Sequence, residues 1–579
     1  MRSRVRSSVA LVALLATAGC VSMPESGPVT TVPSDVATAL PGTFDYQPEP
    51  PKAGDSPATI VTGFLDALRE TPLTYGVARA YLTSDGSSSW EPGRRTIVYE
   101  DGTLATDVAG SEATVTLGST VELDSRGGWL GDLSEGRPTT FDLQLVQEDG
   151  QWRIANPPDA LIVSRTHFES RFVRYNLHFL DPSAQVLVPE PVYLPAGALT
   201  ATLLASGLLA GPARGLQDVE RTFFPPGTRL DLDVGIDDGV ADVRLSREIL
   251  ATDSAQLDLA MAQLAWTLRQ LPGVDRMKVT VDGAPVDQVT GASARSLSGW
   301  SSYDPTVAAA GPDLFALADR EIVTVGEGDA LAGVTGLRGP PIRSFGVSLG
   351  LAGPAQLALV AGDGRRLLTR PLADDDPETA LRYVGDNLLR PAWDRFDNIW
   401  LVDRTAAGAR VTVVPSDGAV HVLEAPGLTG EEITAFELSR DGTRLAAVVD
   451  GRVVLARIGR SESGRPTRVL APTRLPLGQD ADLTVDVAWT SLTTVGALVR
   501  LGPAISQVRI AGVDGSFLLD TDTSLEPLFQ RATELATWPG AEAPVYLQAA
   551  SGDLYDVSST GHWTQAGLPD NLRGLTFAG

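Results

Sequence analysis

Hydrophobic and polar positions follow different periods in different parts of this 579-residue chain. In the segment ATIVTGFLDALRE, residues 58–70, apolar side chains recur every three to four positions, which predicts an amphipathic helix. A second short helix is predicted in YGVARAYLT, residues 75–83, and strand-like runs follow. The pattern predicts an α+β module over residues 58–165, with helices before a curved antiparallel sheet.

A second α+β module is predicted at residues 175–290, where alternating strands precede a helix that ends at glycine and proline. A hairpin is expected around Asp238-Gly239, because aspartate followed by glycine favours tight hairpin turns. A long helix and a final strand complete the module. The segments are RYNLHFLDPSAQVLVPEPVYLP from residue 174, LTATLLASGLLAGPARGLQ from 199, AQLDLAMAQLAWTLRQLPGV from 255 and DRMKVTVDG from 275.

Residues 297–579 change to short apolar strands that are separated by evenly spaced turns. An aromatic residue, a turn and an apolar strand recur every ~40 to 50 residues, which is the period of propeller blades. The final segment, NLRGLTFAG, has the pattern of an opening strand, which predicts a ring closed by both chain ends. We expect an all-β propeller of six blades; five or seven blades, or an irregular β-sandwich, are the alternatives. The copies begin near residues 300, 342, 389, 433, 484 and 535.

The N-terminal pattern predicts an exported protein. Three arginines and no acid precede an apolar stretch at residues 9–18, which is shorter than the about 20 residues that cross a bilayer as a helix. Residues 1–19 are therefore predicted to be a signal peptide. Residues 20–57 are rich in Pro, Gly, Ser and Thr and are predicted to form a flexible tether.

Cys20 is the only cysteine of the chain, so it has no partner for a disulfide within it. It follows the small residues Ala18 and Gly19, and the segment resembles a lipobox, with Thr17 where the usual motif has an aliphatic residue. The resemblance implies cleavage after Gly19 and modification of Cys20 to an S-diacylglycerol and N-acyl cysteine. Such acyl chains would anchor the protein on the extracytoplasmic face of the cell membrane. An ordinary secreted protein is the alternative.

The net charge limits the classes of partner. A formal charge of −26 disfavours nucleic acid, because nucleic-acid binding needs a basic surface. It also disfavours adsorption to anionic lipids through the charge of the protein. Membrane contact is therefore expected through the lipid anchor.

Candidate chemistry is sparse, and we predict no catalytic residue, no cofactor and no metal site. The sequence contains no GxSxG elbow, HExxH helix or phosphate-binding glycine loop. The acidic residues of DLDVGIDDG are expected on the solvated face of a strand and in its hairpin turn rather than around calcium, and those of LADDDPETAL in an interblade loop. These residues are Asp231, Asp233, Asp237 and Asp238, and Asp374, Asp375 and Asp376. The histidines lie too far apart in the sequence to suggest zinc: His167, His178, His421 and His562.

Tryptophans on a propeller could stack against sugars. Four of them recur at equivalent places in the repeat, and positions that repeat in this way usually pack between neighbouring blades. We therefore expect packing, with sugar binding as the alternative. The four are Trp300, Trp393, Trp489 and Trp538, and Trp400 lies outside the repeat. Arg94 and Arg95 are too isolated to suggest an anion site.

Several segments resemble known domains. The first module, which ends in EDGQWRIANPP, resembles the NTF2-like fold. The second is similar to the GerMN domain in the segments LLAGP, FPPGT, DGVADVRLS, TLRQLPGV and VTVDG. Lipobox, tether, NTF2-like module, GerMN domain and propeller, in that order, resemble the LpqB family of actinobacterial lipoproteins.

The family resemblance implies a function that the residues alone do not give. It implies a non-enzymatic accessory of the MtrAB two-component system, which contacts the extracellular domain of the sensor kinase MtrB in cell-envelope homeostasis and division. A lipoprotein that binds cell-wall glycan or peptidoglycan is the alternative. An enzyme would require carboxylates or histidines that converge on the axis of the propeller.

Overall fold

A computed structural model describes most of the chain from residue 46 onward, and the described residues belong to one compact unit. Cys20, Gly19 and the predicted signal peptide lie outside the described residues. Three modules follow one another along the chain. The described ranges are 46–71, 73–132, 136–286, 294–306, 313–325, 331–337, 340–351, 355–372, 379–477, 483–516, 524–540, 544–557, 562–569 and 571–579.

The first module begins with the predicted amphipathic helix, which is confirmed. Ser56 caps it, because its Oγ accepts a hydrogen bond from the Thr59 amide at 3.2 Å, and Pro57 occupies the first helical position. Ile60 and Phe64 on its inner face are fully buried. The helices are α1 Pro57–Ala67, α2 Gly76–Ala80, α3 Ser84–Ser89 and α4 Arg165–Arg171, with a 3₁₀ turn at Pro92–Arg94.

The strands of the first module form two four-stranded sheets rather than one. One sheet has the order β5-β4-β1-β8 and the other β2-β3-β6-β7. β1 and β8 are parallel, so the expectation of a purely antiparallel sheet is wrong. The NTF2-like fold stays a prediction. The strands are β1 Thr96–Tyr99, β2 Ala105–Ala109, β3 Glu112–Leu117, β4 Thr120–Leu123, β5 Trp129–Gly131, β6 Thr139–Glu148, β7 Gln151–Ile154 and β8 Leu161–Ser164.

The second module packs two helices against its strands around one buried core. Its long helix, Ser254–Leu268, is capped by Asp253, whose Oδ1 accepts a hydrogen bond from the Gln256 amide at 2.8 Å. The helices are α5 Thr200–Leu209 and α6 Ser254–Leu268, with 3₁₀ segments at Arg247–Ala251 and Leu297–Tyr303. The strands are β9 Phe172–Leu180, β10 Leu187–Pro195, β11 Gly235–Asp237, β12 Val240–Arg244, β13 Arg276–Val281, β14 Ala284–Pro285 and β15 Arg295–Ser296.

Trp300 lies in the core of the second module, so its assignment to the propeller repeat is wrong. Its carbonyl accepts a hydrogen bond from Trp266 Nε1 at 3.0 Å, and its own Nε1 donates to Asp258 Oδ1 at 2.9 Å. Arg295 covers its ring at 4.3 Å. The first propeller strand begins at Leu314.

The acidic segment around Asp238 is only partly as predicted. Asp238 and Gly239 have φ of 45° and 72°, which confirms the tight turn. The strand before it, however, begins at Gly235, and Asp231 and Asp233 lie in irregular backbone.

Six antiparallel sheets follow one another in the part of the propeller that the structure describes, which confirms the six-bladed propeller. The first blade has β16 Leu314–Ala318, β17 Glu321–Val325 and β18 Leu331–Gly336; the second has β19 Ile342–Val347, β20 Gln356–Ala361, β21 Arg366–Pro371 and β22 Ala380–Val384; the third has β23 Ala392–Trp393, β24 Ile399–Thr405, β25 Gly408–Val414 and β26 His421–Val422. The fourth has β27 Ile433–Leu438, β28 Arg444–Val449, β29 Arg452–Arg460, β30 Pro466–Val469 and β31 Thr473–Arg474; the fifth has β32 Leu483–Ser491, β33 Thr494–Gly502 and β34 Ile505–Gly512; the sixth has β35 Ala532–Ala536, β36 Val545–Ala549, β37 Leu554–Val557 and β38 Trp563–Gln565.

The last strand, β39 Leu572–Phe577, closes the ring as predicted. It pairs antiparallel with β16, so the first blade has the order β18-β17-β16-β39. Leu575 at its centre is fully buried, whereas Arg573 is exposed. Both chain ends of the propeller thus share one sheet, and β16 has no free edge.

We expect Leu575→Ala to lower the free energy of unfolding by about 2 to 5 kcal/mol, because it leaves a cavity in the closing strand. Denaturant unfolding of the full chain, followed by tryptophan fluorescence, measures the change. The control, Arg573→Ala in the same strand, should stay within about 0.5 kcal/mol. Equal effects of the two substitutions would contradict the role of β39.

Candidate functional site: the module junction and the propeller axis

A buried ion network joins the second module to the propeller. Two arginines on neighbouring strands of the fourth blade, Arg444 on β28 and Arg457 on β29, form ion pairs with Glu190 on β10. Arg444 Nη2 donates to Glu190 Oε1 at 2.7 Å, and Arg457 donates to Oε1 and Oε2 at 2.5 and 3.0 Å. The Arg444 side chain is 0% exposed and that of Glu190 11%. These charge-assisted bonds are therefore largely shielded from water.

The turn before β28 holds Arg444 in place. Asp441 Oδ2 accepts a hydrogen bond from Arg444 Nη1 at 3.0 Å, while its Oδ1 accepts the Thr443 amide at 2.8 Å. Arg444 Nη2 also donates to the Pro189 carbonyl at 2.5 Å. The arginine is thus bound by its own blade on one side and by the second module on the other.

Glu220 is a second buried carboxyl in this network. Arg457 Nη1 donates to Glu220 Oε1 at 3.2 Å. Burial and the nearby negative charge of Glu190 raise the pKa of Glu220 well above its ordinary value. Burial alone would also raise the pKa of Glu190, but the charges of Arg457 and Arg444 outweigh it and lower that pKa. The two carboxyls of the network therefore shift in opposite directions, with Glu190 favoured in its charged form and Glu220 in its neutral form.

Tyr193 connects all three modules. Its amide donates to the carbonyl of Gly127 in the first module at 2.8 Å, and its hydroxyl lies 2.5 Å from Ser516 Oγ in the propeller. Gly127 has φ of +84°, and a Cβ there would lie 2.5 Å from the Tyr193 carbonyl oxygen, so this approach requires glycine. Arg126 adds a bond from Nη1 to the Gly211 carbonyl at 2.9 Å.

We expect Arg444→Ala to destabilise the junction by about 3 to 5 kcal/mol, because it leaves carboxylates buried without their partner. Calorimetric unfolding of the full chain should then show the second module and the propeller as separate transitions. Arg468→Ala is the matched control, since its pair with Asp218 spans the same interface but is exposed, at 45% and 72%. That variant should lose about 0 to 1 kcal/mol. A single unchanged transition in Arg444→Ala would refute the ion network as the junction.

A cavity of about 180 Å³ lies at the axis of the propeller. Residues of the innermost strands β19, β27, β32, β35 and β39 line it, together with Arg390 before β23. Arg390 Nη1 donates to the Leu575 carbonyl at 2.9 Å, and its Nη2 lies 4.0 Å from Asp486 Oδ1. Asp486 also accepts the Val487 and Leu535 amides at 3.0 and 2.9 Å. One guanidinium thus anchors the strands around the axis.

Two further carboxyls surround Arg390. Burial raises the pKa of Glu437 to about 8, with the charge of Asp486 adding to the rise and Arg390 opposing it. Burial likewise raises the pKa of Glu534. Glu437 Oε2 is buried without a hydrogen-bond partner among the described residues. Asp486 and Glu534 thus line the axial cavity, while Glu437 is not among its lining residues.

We expect Glu437→Gln to stabilise the protein increasingly as the pH rises. The folded pKa of about 8 exceeds the ordinary value of 4.5, so the folded state holds a proton that the unfolded state releases. Stability is therefore lost between these two pH values as pH rises, and glutamine removes that loss. Urea unfolding from pH ~5 to pH ~9 should show that the variant gains about 4 kcal/mol over wild type across this range. Glu462→Gln, at a side chain that is 89% exposed, should show no such trend. A pH-independent difference between wild type and Glu437→Gln would contradict the assignment.

The four histidines lie in different parts of the fold. His167 is on α4, and burial lowers its pKa to about 4. His178 on β9 is buried, with a pKa lowered by burial to about 3. His421 is on β26, and His562, which precedes the outermost strand of the last blade, lies 2.8 Å from Glu526. No group of three or more His, Cys, Asp or Glu side chains that could hold a metal ion occurs in the described ranges.

The tryptophans of the propeller mostly pack inside it. Trp393 and Trp489 are buried, which confirms packing for these two, and Trp400, outside the repeat, is buried as well. Trp538 is half-buried, with Arg440 at 5.7 Å from its ring. Asp374, Asp375 and Asp376 lie outside the described residues. Arg94 and Arg95 pair separately, with Asp159 at 3.8 Å and Glu122 at 3.0 Å, and form no common site.

The sequence analysis missed the charged residues at both sites. Glu190 stands in the apolar strand LVPEPVYLP, and Arg444 opens the apolar strand RLAAVV. A charged residue inside an otherwise apolar strand indicates a buried partner. This pattern could have identified both Glu190 and Arg444. The partner itself could not be found in this way, because 254 residues separate the two.

Comparison with known proteins assigns each module. Residues 50–169 match the family described as lipoprotein LpqB, N-terminal domain, and residues 322–524 match the lipoprotein LpqB β-propeller domain. Residues 176–287 match a family of sporulation and spore germination, the GerMN domain that was predicted. The chain is thus a multidomain protein in which a GerMN domain links an N-terminal module to a β-propeller.

Similar proteins extend this over the whole chain. Lipoprotein LpqB of Thermobifida fusca is 28% identical over 88% of this chain and 89% of its own length. Lipoprotein LpqB of Mycobacterium ulcerans is 29% identical over 88% and 89%. A chain of the nidogen/laminin complex covers 46% of this chain and 98% of its own, with 14% identity and a TM-score of 0.35. The chain is thus similar over most of its length to proteins named lipoprotein LpqB, and two of its three modules match LpqB family models, as the sequence analysis expected. Within the described ranges, no helix has the length and apolar character needed to cross a membrane.

Proposed function

We propose that this lipoprotein is a non-enzymatic accessory of a two-component sensor kinase of the MtrAB type. It acts on the extracytoplasmic face of the cell membrane, held there by acyl chains on Cys20 after cleavage behind Gly19. Its partner is the extracellular domain of the kinase MtrB, and its role lies in cell-envelope homeostasis and division. Similarity to the LpqB family supports this proposal.

The proposal is supported mainly by the buried contacts that join the three modules. Tyr193 and the network of Glu190 with Arg444 and Arg457 connect the GerMN domain to both neighbours. Since buried contacts oppose independent motion, surfaces of all three modules can meet a partner together. A broad, preformed surface suits recognition of another protein domain. A lipid anchor would raise the effective concentration of that surface near a membrane protein.

Cys20→Ala tests the anchor. The wild-type chain should incorporate a clickable palmitate analogue in cells and sediment with membranes, whereas Cys20→Ala should do neither. Since acyl chains contribute about 0.8 kcal/mol per buried CH₂, loss of the chains should release the protein from membranes. Labelling of both forms to the same extent would contradict acylation at Cys20.

Crosslinking from intact membranes tests the partner. The anchored wild type should recover the kinase ectodomain, and Arg444→Ala, which loosens the junction, should recover less of it. Arg468→Ala should recover as much as wild type. Failure to recover a sensor-kinase ectodomain in any growth state would refute the proposed partner. Retention on purified cell wall in moderate salt would instead favour the glycan-binding alternative.

A further inference from the structure

A cavity of about 310 Å³ lies where the three modules meet. Its walls come from β5 of the first module, from β10 and the loop after α5 of the GerMN domain, and from β29 and the residues after β34 of the propeller. The volume equals about ten water molecules at ~30 Å³ each, near the lower end of small-molecule pockets. The cavity therefore suits a small organic molecule.

One side of this junction cavity is apolar. Its apolar lining comes from all three modules: Trp129 and Leu130 of β5, Leu216 of the GerMN domain, and Leu455 and Val513 of the propeller. Leu130 is 48% exposed at the rim. Exposed leucine beside a cavity that other apolar side chains line indicates a ligand with an apolar part.

The cations of the junction cavity are not equally available. Arg126 is held by Asp124 at 2.8 Å and by the Gly211 carbonyl, and Arg457 is held by Glu190. Arg214, in the loop after α5, is exposed and forms no hydrogen bond or ion pair with any described residue. Its guanidinium is therefore free to receive a carboxylate at the rim.

Asp514 provides an acceptor on the propeller side. Its Oδ1 accepts hydrogen bonds from the amide and Oγ of Ser516, the residue that contacts Tyr193. Its Oδ2 is buried and has no hydrogen-bond partner among the described residues. A buried carboxyl oxygen without a donor is rare in folded proteins. Burial raises the pKa of Asp514 and the charge of Arg174 opposes that rise, so a ligand ammonium group would add a donor and favour the charged carboxylate.

We propose that the junction cavity binds a short apolar peptide with free termini. Its carboxylate pairs with Arg214, its ammonium group donates to Asp514, and its side chains contact the apolar wall. An acyl anion would satisfy Arg214 but leave Asp514 without a donor, and an amine without a carboxylate would leave Arg214 unpaired. The site does not depend on the kinase partner, so either proposal can fail without the other.

Calorimetric titration of the full-length chain with the dipeptide Leu-Leu tests the inference. We expect binding that weakens at least about tenfold with N-acetyl-Leu-Leu and with the amide of Leu-Leu, because each cap removes one charge-assisted hydrogen bond. Arg214→Gln should weaken binding of Leu-Leu to a similar degree. Arg465→Gln, at an exposed arginine in the fourth blade away from the cavity, should bind like wild type.

Asp514→Asn distinguishes recognition from loss of structure. In that variant, free and N-acetylated Leu-Leu should bind within about twofold of each other, because the acceptor of the ammonium group has lost its charge. Circular dichroism and the unfolding temperature report whether Asp514→Asn is folded. If it is not, Arg214→Gln still tests the inference. Absence of Leu-Leu binding at about 10 mM, or equal affinity of the free and capped peptides for wild type, would overturn it. Binding of octanoate in place of Leu-Leu would also overturn it.

Discussion

The contact of Glu190 with Arg444 and Arg457 determines how the rest of the molecule is arranged. It brings a strand of the GerMN domain against the fourth blade and shields most of the charged side-chain surface from water. Removing charges from water is unfavourable, so such a cluster is stable only if each charge has a partner in the right geometry. The bidentate contact of Arg457 and the Asp441 carboxylate on Arg444 supply partners, and the raised pKa of Glu220 favours the neutral form of that carboxyl.

Buried arginine lies beside buried carboxyl groups both at the junction and at the propeller axis, but in different ratios. At the junction, two arginines compensate two glutamates and Asp441; at the axis, Arg390 alone faces Asp486, Glu437 and Glu534. The axis therefore has an excess of carboxyl groups, and burial keeps their pKa values high. In a chain of formal charge −26, arginine side chains thus hold buried carboxyl groups both at the junction and at the axis.

Local patterns predicted elements well, because they depend on neighbours in the sequence. The face of Ile60 and Phe64, the Asp238-Gly239 turn and the closing strand at Leu575 all follow from spacing within a few residues. The assignment of Trp300 to the propeller was wrong because an aromatic residue beside a turn has the local pattern of a blade. Its hydrogen-bond partners, Trp266 and Asp258, lie 34 and 42 residues earlier in the sequence. The buried ion pairs could not be predicted from local patterns for the same reason, since Arg444 and Glu190 are neighbours only in the folded structure.

The position of β39 has a consequence for the order of events during biogenesis. A ring whose first blade is completed by its last strand cannot close while the C-terminal residues are still being synthesised or translocated. Until then, the edge of β16 offers unpaired amide and carbonyl groups to any neighbouring strand. Closure of the propeller therefore requires the C-terminal strand to be present. A chain released before that strand is made would leave the edge of β16 unpaired and prone to aggregation.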